Sequence, residues 1–441
     1  MPEQVDTSKR RPWMLLVLIS AAVFALLAVL VFPSKLASEL ASLRSRGLPT
    51  NFEELNTYFP VPVGANDTTS FWVAAASQLA SSELDKRAGG VPYVGAGSLP
   101  IPKHGDPWAE LEESRRFLKS LEKEMLTLRI AAGHAGVARY PVDYSTGLDA
   151  SIALVRQIRT MARLFSLSAH VHLHDDEPTQ VFEDVNGAVA VSNSLQGTSG
   201  SLPNMVRIAT HAMACELIKE MLPETDWNDN NLEILQLSVA VADFRKEYRQ
   251  AILGEQAYFL ESVQNTRGFM FLDSNSLTGI EYFGRLSRGL EDSWQRANQV
   301  HDEIDAELKG AIAGVFGRLK VTGVILVMPA LKQSMIAGMR AEARQNCLLA
   351  ALAAMRFRLR HGVSLTSLSE LIEFIPGETQ EAKASRLIDP FTDAALVMKF
   401  ETGRLMFYSV GENRIDDAGQ IQSEKRDEGD IGYSLDRFSQ P

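Results

Sequence analysis

Three histidines, His170, His172 and His174, stand at alternate positions directly before two aspartates in the stretch "AHVHLHDD". Imidazoles and carboxylates are the ligands that hold zinc in metal-dependent hydrolases, so the spelling of this stretch suggests a metal site. Alternate side chains share one face only in a β-strand. The residues before the histidines instead carry apolar side chains every three to four positions, which predicts a helix.

On such a helix the three imidazoles do not converge. His172 continues the line of apolar side chains that would face the core, whereas His170 and His174 fall among arginines on the opposite face. His170 and His174 form an i, i+4 pair that can grip a metal, but they lack the third ligand or intervening acid of H-E-x-x-H. We therefore predict a helix that ends near His174 and a new helix from Pro178, and we assign no catalytic residue.

Other polar residues also have plain structural interpretations. Glu255 and the charges of "DFRKEYRQ" lie at helical spacing. This spacing predicts solvated faces with i, i+4 ion pairs, and an interhelical ion pair near the core is the alternative. Cys215 and Cys347 lie within apolar helical patterns and are expected to be buried thiols, with a disulfide between them as the alternative.

The bulk composition sets limits on the class of protein. The chain has 441 residues, is 45% hydrophobic and carries a formal net charge of -11. Such a chain can bury a sizeable core in two or three folded units. Its acidic balance argues against a nucleic-acid surface, which would show a basic patch or stripe.

The N-terminus carries the strongest targeting signal. Residues 13–32 contain no charged side chain and follow the basic cluster "SKRR". About 20 apolar residues span the ~30 Å hydrocarbon core of a bilayer, so we predict one uncleaved transmembrane helix at residues 13–32. A cleavable signal peptide, with its shorter apolar region, is the alternative. The basic cluster places the tail at residues 1–12 in the cytoplasm and the rest of the chain outside it.

The remaining chain divides by pattern into three parts. Residues 33–107 read as a stalk, a helix and a Gly/Pro-rich linker, and residues 108–310 are helical nearly throughout. Residues 317–441 open with an apolar run that is too short to span a bilayer and predicts a long buried helix, followed by a β-hairpin around Gly403 and an acidic tail. The predicted fold class is mainly α, with a transmembrane helix, an extracytoplasmic α-helical domain and a small C-terminal α+β module.

The C-terminal module resembles a known family. The stretches "LAALAAMRFRLRHGVSLTSLSELI", "DPFTDAALVMKF", "LMFYSVGENRIDD" and "GDIGY" follow in this order. They resemble the globular part of the major pseudopilin of type II secretion systems, over roughly the C-terminal quarter of the chain. The whole chain also looks like a group of large membrane-anchored bacterial proteins that carry this module. The family's processing site, a glycine before phenylalanine with a glutamate in the apolar helix, is missing.

The resemblance implies a calcium ion in the acidic loop. By position, Asn413 and Asp430 match residues of the family's calcium loop, and Asp416, Asp417 and Asp427 are further oxygen donors in the same segment. Calcium takes 6 to 8 oxygen ligands, including amide oxygens. The alternative is a solvated acidic tail.

Together these features predict a single-pass bacterial inner-membrane protein with its bulk in the periplasm. We expect a non-enzymatic envelope scaffold that binds protein partners and no nucleic acid. The alternatives are a component of a type II secretion or pilus-like assembly and an anchored metal-dependent hydrolase. Calcium is the only cofactor that the sequence suggests.

Overall fold

The structure, a computed structural model, describes residues 34–142, 144, 149–198, 200–265, 272–401, 403–421 and 429–436. Within these residues the chain is mainly α-helical and ends in a small three-stranded antiparallel sheet, which confirms the predicted helical class and C-terminal sheet. The predicted tail at residues 1–12 and the predicted anchor at residues 13–32 lie outside the described residues.

The helices are numbered here in chain order. They are α1 (Lys35–Ser45), α2 (Phe52–Tyr58), α3 (Thr69–Ser81), α4 (Leu84–Arg87), α5 (Leu111–Ser120), α6 (Glu122–Gly133), α7 (Asp149–His174), α8 (Pro178–Asn193), α9 (Ser201–Met221), α10 (Asp229–Val239), α11 (Phe244–Asn265), α12 (Leu272–Asp292), α13 (Trp294–Ile312), α14 (Val315–His361), a 3-10 helix (Leu368–Phe374) and α15 (Gln380–Ser385).

Local capping signals set several of these ends. The Ser34 hydroxyl accepts a hydrogen bond from the Ala37 N–H at the start of α1, and Ser293 does the same for Arg296 at the start of α13. These side chains satisfy N–H groups that have no partner within the first turn of a helix. Gly362 ends α14 with a φ of +71°, a left-handed conformation that glycine adopts without a Cβ clash.

The predicted long helix of the C-terminal module is α14. Its first half exposes a narrow row that contains Leu326, Pro329, Ala330 and Gln333, while the remaining faces are mostly buried or half-buried. Pro329 lies on the solvent side, where its missing N–H is least costly. By length and composition alone, Gly317–His361 would also qualify as a membrane span, a test that the core helix of a soluble protein passes too.

Two hydrophobic cores share α14. Its residues from Val321 to Ala343 pack with α1 and α11–α13, whereas those from Cys347 to Ala354 pack with α3, α5–α10 and the sheet. The C-terminal sheet therefore shares its core with helices from the first half of the chain. Hydrophobic contacts cross the predicted boundary between residues 310 and 317.

The sheet has the order β1-β2-β3, with strands β1 (Val397–Glu401), β2 (Arg404–Ser409) and β3 (Ile431–Asp436). β1 and β2 form the predicted hairpin, in which Glu401 lies opposite Arg404. The inner face of the sheet presents the opposed pairs Leu405 with Leu435 and Phe407 with Tyr433 to the core around the second half of α14. This alternation of inward side chains is what the period of two in the sequence predicts.

The predicted stalk is docked on the helical body. Leu36 and Leu43 of α1 are buried in the core with α11–α13, and α1 contacts α12. The Gly/Pro-rich linker is also packed, because Val91 within it is fully buried. The segment that leads away from the predicted anchor is thus held against the domain.

Candidate functional site

Helix α7 positions the three histidines and ends at His174, and α8 begins at Pro178, as predicted. Each imidazole has a different partner. His170 Nε2 lies 3.2 Å from the Tyr93 hydroxyl and 3.1 Å from a Glu220 carboxylate oxygen. His172 Nδ1 lies on another side of the helix, and His174 Nδ1 bonds to the His170 carbonyl oxygen at 2.9 Å. The prediction that the three rings do not converge is confirmed.

The predicted faces of two histidines are wrong. His170 is only 5% exposed, because Glu220 of α9 and Tyr93 of the linker cover the side of α7 that was expected to face solvent. His172, expected in the core, is half-buried at the edge of a cleft. Helix α7 packs against both α8 and α9, so two of its faces are covered and a single apolar stripe does not describe it.

The most concentrated polar network of this region centres on Asp184 of α8, which is 0% exposed. One carboxylate oxygen accepts a hydrogen bond from Arg129 Nη2 at 2.9 Å, and the other lies 2.7 Å from His172 Nδ1. Arg129 Nη2 also donates to the Ser168 hydroxyl at 3.0 Å. A buried carboxylate is costly unless it is paired and hydrogen-bonded, and these contacts meet that requirement.

The network opens into a cleft of about 420 Å³ between α5, α6 and α7, which we call the histidine cleft. It is lined by Arg115, Leu118, Lys119, Glu122, Met125, Leu126, Arg129, Ser168, Val171, His172, Asp175 and Glu177. The His172 ring lies between two carboxylates, with Nδ1 2.7 Å from an Asp184 oxygen and Nε2 3.7 Å from a Glu177 oxygen. A histidine that a buried carboxylate orients at the edge of a cleft is a component of general-base sites.

Sequence reasoning missed Asp184 and Arg129. Asp184 lies three residues after Val181 and four residues before Ala188, at a core position of an otherwise apolar helical stretch. A lone carboxylate at such a position is the signal that would have indicated a buried ion pair.

The acidic loop comprises residues 411–430, of which the structure describes 411–421, 429 and 430, and these include four of the five predicted calcium ligands. Residues 411–421 contact the outer face of the sheet, where the Tyr408 hydroxyl donates to Asp416 at 3.1 Å. Asn413 donates through its side-chain nitrogen to Asp417 at 3.0 Å. Asp430, 2% exposed, accepts from the backbone N–H of Gly419 at 2.7 Å and of Asp417 at 3.3 Å.

The electrostatics of this loop are those of crowded carboxylates. Burial raises the pKa of the Asp430 carboxyl and the nearby Asp416 and Asp417 charges raise it further, whereas the two backbone N–H donors lower it. Asp427, the remaining predicted ligand, lies outside the described residues. Among the residues that are described, no group of three or more His, Cys, Asp or Glu side chains has the arrangement of a metal site.

A fully buried ion pair joins α9 to α11. Arg207, 1% exposed, donates through Nε and Nη2 to the two carboxylate oxygens of Glu247 at 3.1 and 3.4 Å. Its Nη1 donates to the Ser192 hydroxyl at 2.6 Å. Glu247 belongs to "DFRKEYRQ", so the predicted solvated face is wrong for this residue and the interhelical alternative is confirmed. Glu255 is half-buried and accepts a hydrogen bond from the Ser201 N–H at 2.8 Å.

The two cysteines are free and buried, so the expectation of buried thiols is confirmed and the disulfide alternative is wrong. Burial raises the pKa of the Cys215 thiol to about 12. The Cys347 thiol lies 3.3 Å from the Ile431 carbonyl oxygen at the start of β3. A thiol with a raised pKa carries little thiolate at neutral pH and is a poor nucleophile.

Comparison of the chain with known protein families, with curated proteins and with solved structures finds no match to any of them.

Proposed function

We propose that this chain is a single-pass, membrane-anchored protein of the bacterial envelope whose extracytoplasmic part is a scaffold for protein partners. The observation that carries the proposal is the sharing of α14 by both cores. Because the sheet and the acidic loop sit on the same helix that organises α11–α13, the pseudopilin-like module is held on the helical body. Such a unit holds its surfaces in a fixed relative arrangement, as a scaffold for protein partners requires.

The roles of the polar groups also support a scaffold. Asp184 connects α8 to α6 and α7, and Glu247 connects α11 to α9. Each carboxylate is paired with an arginine of a neighbouring helix, Asp184 with Arg129 and Glu247 with Arg207. Polar networks that are saturated in this way specify how helices pack.

The proposal of a membrane anchor rests on the uncharged segment at residues 13–32 and on the basic cluster before it. The test is fractionation of cells that express the full chain, followed by carbonate extraction and protease treatment of spheroplasts. We expect the chain to resist extraction and its bulk to be digested from outside. Protection from external protease, or release by carbonate, would contradict the proposed location. Co-purification with a secretion machinery would replace the scaffold by the assembly alternative.

The His172–Asp184 pair favours hydrolysis as a second candidate function. The two functions differ in what Asp184→Asn does to stability. A structural Asp184 that loses its charge leaves Arg129 and His172 poorly paired, and we expect a loss of about 2–4 kcal/mol in the free energy of unfolding. Catalytic residues are often replaced with unchanged or increased stability. Glu177→Gln, at a half-exposed carboxylate of the same cleft, is the control. Equal stability of Asp184→Asn and wild type would favour the hydrolase.

We further propose that the acidic loop binds calcium. The repulsion among Asp416, Asp417 and Asp430 supports this, because a divalent cation would relieve it. Metal analysis and thermal unfolding of the full chain with calcium or with a chelator test the proposal. A ligand that binds only the folded state, present at a free concentration 100 times its Kd, raises the free energy of unfolding by about 2.7 kcal/mol.

Variants locate the calcium effect. Asp417→Asn should abolish the calcium-dependent rise in Tm, and Asp226→Asn, an exposed acid on the connection between α9 and α10, should retain it. A wild-type chain that contains no calcium and unfolds at the same temperature in chelator would refute the calcium site.

A further inference from the structure

A cleft of about 900 Å³ lies between the predicted stalk helix α1 and the helices α11 and α12. We call it the stalk cleft. It is lined by Lys35, Glu39, Ser42, Leu43, Arg46, Leu48, Arg249, Leu253, Gln256, Ser274, Leu277, Thr278, Ile280, Glu281, Gly284, Ser287, Arg288 and Glu291. Nothing in the calcium site or the histidine cleft uses this surface.

Unpaired positive charge outweighs unpaired negative charge in the lining of the stalk cleft. Of its acids, Glu291 pairs with Arg249 and Glu281 with Arg285, and Glu39 has no ion-pair partner among the described residues. Lys35, Arg46 and Arg288 are exposed, and none of them forms an ion pair with an acidic side chain among the described residues. Arg249, in contrast, is bound to Glu291 and to the Ser287 hydroxyl. The unpaired cations are therefore available to an anionic ligand.

The interior of the stalk cleft combines one buried donor with apolar side chains. Gln256 is only 3% exposed, and its Nε2 has no hydrogen-bond acceptor among the residues that the structure describes. An unsatisfied buried amide N–H costs free energy that an oxygen-bearing ligand can recover. Leu253, Leu277 and Ile280 line the same cleft and provide an apolar wall. The combination suits an amphiphile with an anionic head group.

The position of the cleft along the chain indicates where such an amphiphile comes from. Lys35 begins α1, three residues after the end of the predicted membrane span. If the anchor spans the bilayer, the lysine end of the stalk cleft lies at the membrane surface. This step rests on the proposed membrane anchor.

We propose that the stalk cleft binds the phosphate head group of an anionic phospholipid, such as phosphatidylglycerol. Lys35 and Arg46 mark opposite ends of α1, which are roughly 16 Å apart at 1.5 Å per residue. Lys35, at the membrane end, contacts the phosphate, while Arg46 and Arg288 attract it through their charge. The apolar wall lies along the beginning of the acyl chain. The bound lipid holds α1 against α12 and so fixes the helical body at the membrane surface. A soluble phosphate compound shares the head-group chemistry and is distinguished by the experiment.

The experiment uses the full chain in nanodiscs of phosphatidylcholine with a minor fraction of phosphatidylglycerol. Native mass spectrometry after release into neutral detergent measures the ratio of phosphatidylglycerol-bound to unbound chain. The test variant is Arg46→Gln/Arg288→Gln, with Lys35→Gln as a second variant. The matched control is Arg116→Gln/Arg159→Gln, which removes two exposed arginines from α5 and α7. In a second arm, glycerol phosphate competes with the lipid.

We expect each lost charge to lower phosphatidylglycerol retention about fivefold, while the control double variant retains as much as wild type. Equal retention by the test and control variants overturns the proposal. The second arm has its own adverse outcome, in which glycerol phosphate displaces the lipid at the same concentration at which it binds a lipid-free sample. That result would assign the cleft to a soluble phosphate compound and overturn the proposal of a lipid ligand. Carbonate extraction of membranes from cells that express the full chain separates the two failures. An anchored chain without lipid selectivity refutes this inference alone, whereas an extractable chain refutes the anchor.

Discussion

The buried pair of Arg207 and Glu247 gives the sharpest test of how the helices are held together. In Glu247→Gln the Arg207 guanidinium stays in place, almost without solvent contact, but loses its counter-charge. The Ser192 hydroxyl remains as its partner. Breaking a buried ion pair by removing one partner costs about 3–5 kcal/mol, because an uncompensated buried charge remains. We expect Glu247→Gln to lose that amount in the free energy of unfolding.

The double variant Arg207→Met/Glu247→Leu separates this cost from the loss of side-chain packing. It removes both charges and keeps apolar volume between α9 and α11. Replacing a buried pair by packed hydrophobic residues is often neutral or stabilising. The double variant should therefore be more stable than Glu247→Gln and close to wild type.

The assay is guanidinium unfolding of the full chain in mild detergent, followed by circular dichroism at the helix band. Lys86→Gln is the control, because it breaks an exposed i, i+3 ion pair with Glu83 and should change stability by less than about 1 kcal/mol. If Glu247→Gln unfolds at the same midpoint as Lys86→Gln, then the Arg207 charge is not buried as described and the reasoning fails.

Three further predictions concern single positions. Burial, with the Lys332 charge as a smaller cause, lowers the pKa of His301 from 6.5 to about 4. Because the folded state holds the ring neutral while the unfolded state takes up a proton, the free energy of unfolding should fall by up to ~3 kcal/mol as pH drops from 6.5 to 4. His301→Leu should flatten that part of the pH–stability curve, and an unchanged slope would contradict the assignment. Gly279→Ala should cost about 1–3 kcal/mol in urea unfolding, because a Cβ there would lie 2.2 Å from the Phe259 ring. Gly310→Ala, where a Cβ meets no described atom within 4 Å inside a helix, should raise stability by up to about 1 kcal/mol, and a loss as large as that of Gly279→Ala would refute the packing argument.

The features that sequence predicted well are local ones. The end of α7 at His174, the start of α8 at Pro178 and the end of α14 at Gly362 depend on capping and on backbone dihedrals within a few residues. The β1–β2 hairpin likewise follows from alternation on both sides of one turn. Such signals are written in adjacent residues, so a single sequence suffices to read them.

The features that sequence missed depend on which helices become neighbours. His170 was expected to face solvent because arginines lie on the same side of α7. In the structure, Glu220 of α9 and Tyr93 of the linker cover that side at His170. Asp184 and Glu247 find their partners on helices that are distant in sequence. The helical period shows which side chains share a face, but not how many faces of a helix are covered.

The C-terminal module and the helical body are joined by directed hydrogen bonds as well as by apolar contact. Gln345 of α14 donates to the Ala242 carbonyl oxygen at 3.1 Å, and Arg386 donates to the carbonyl oxygens of Ala242 and Ala240 at 3.1 and 2.8 Å. Both side chains thus donate hydrogen bonds to the connection between α10 and α11. Buried carbonyl groups outside regular structure need such donors, so the connection depends on the module for its hydrogen bonds. A sequence resemblance confined to the module therefore describes only one side of a shared interface, and the helical body supplies the other side.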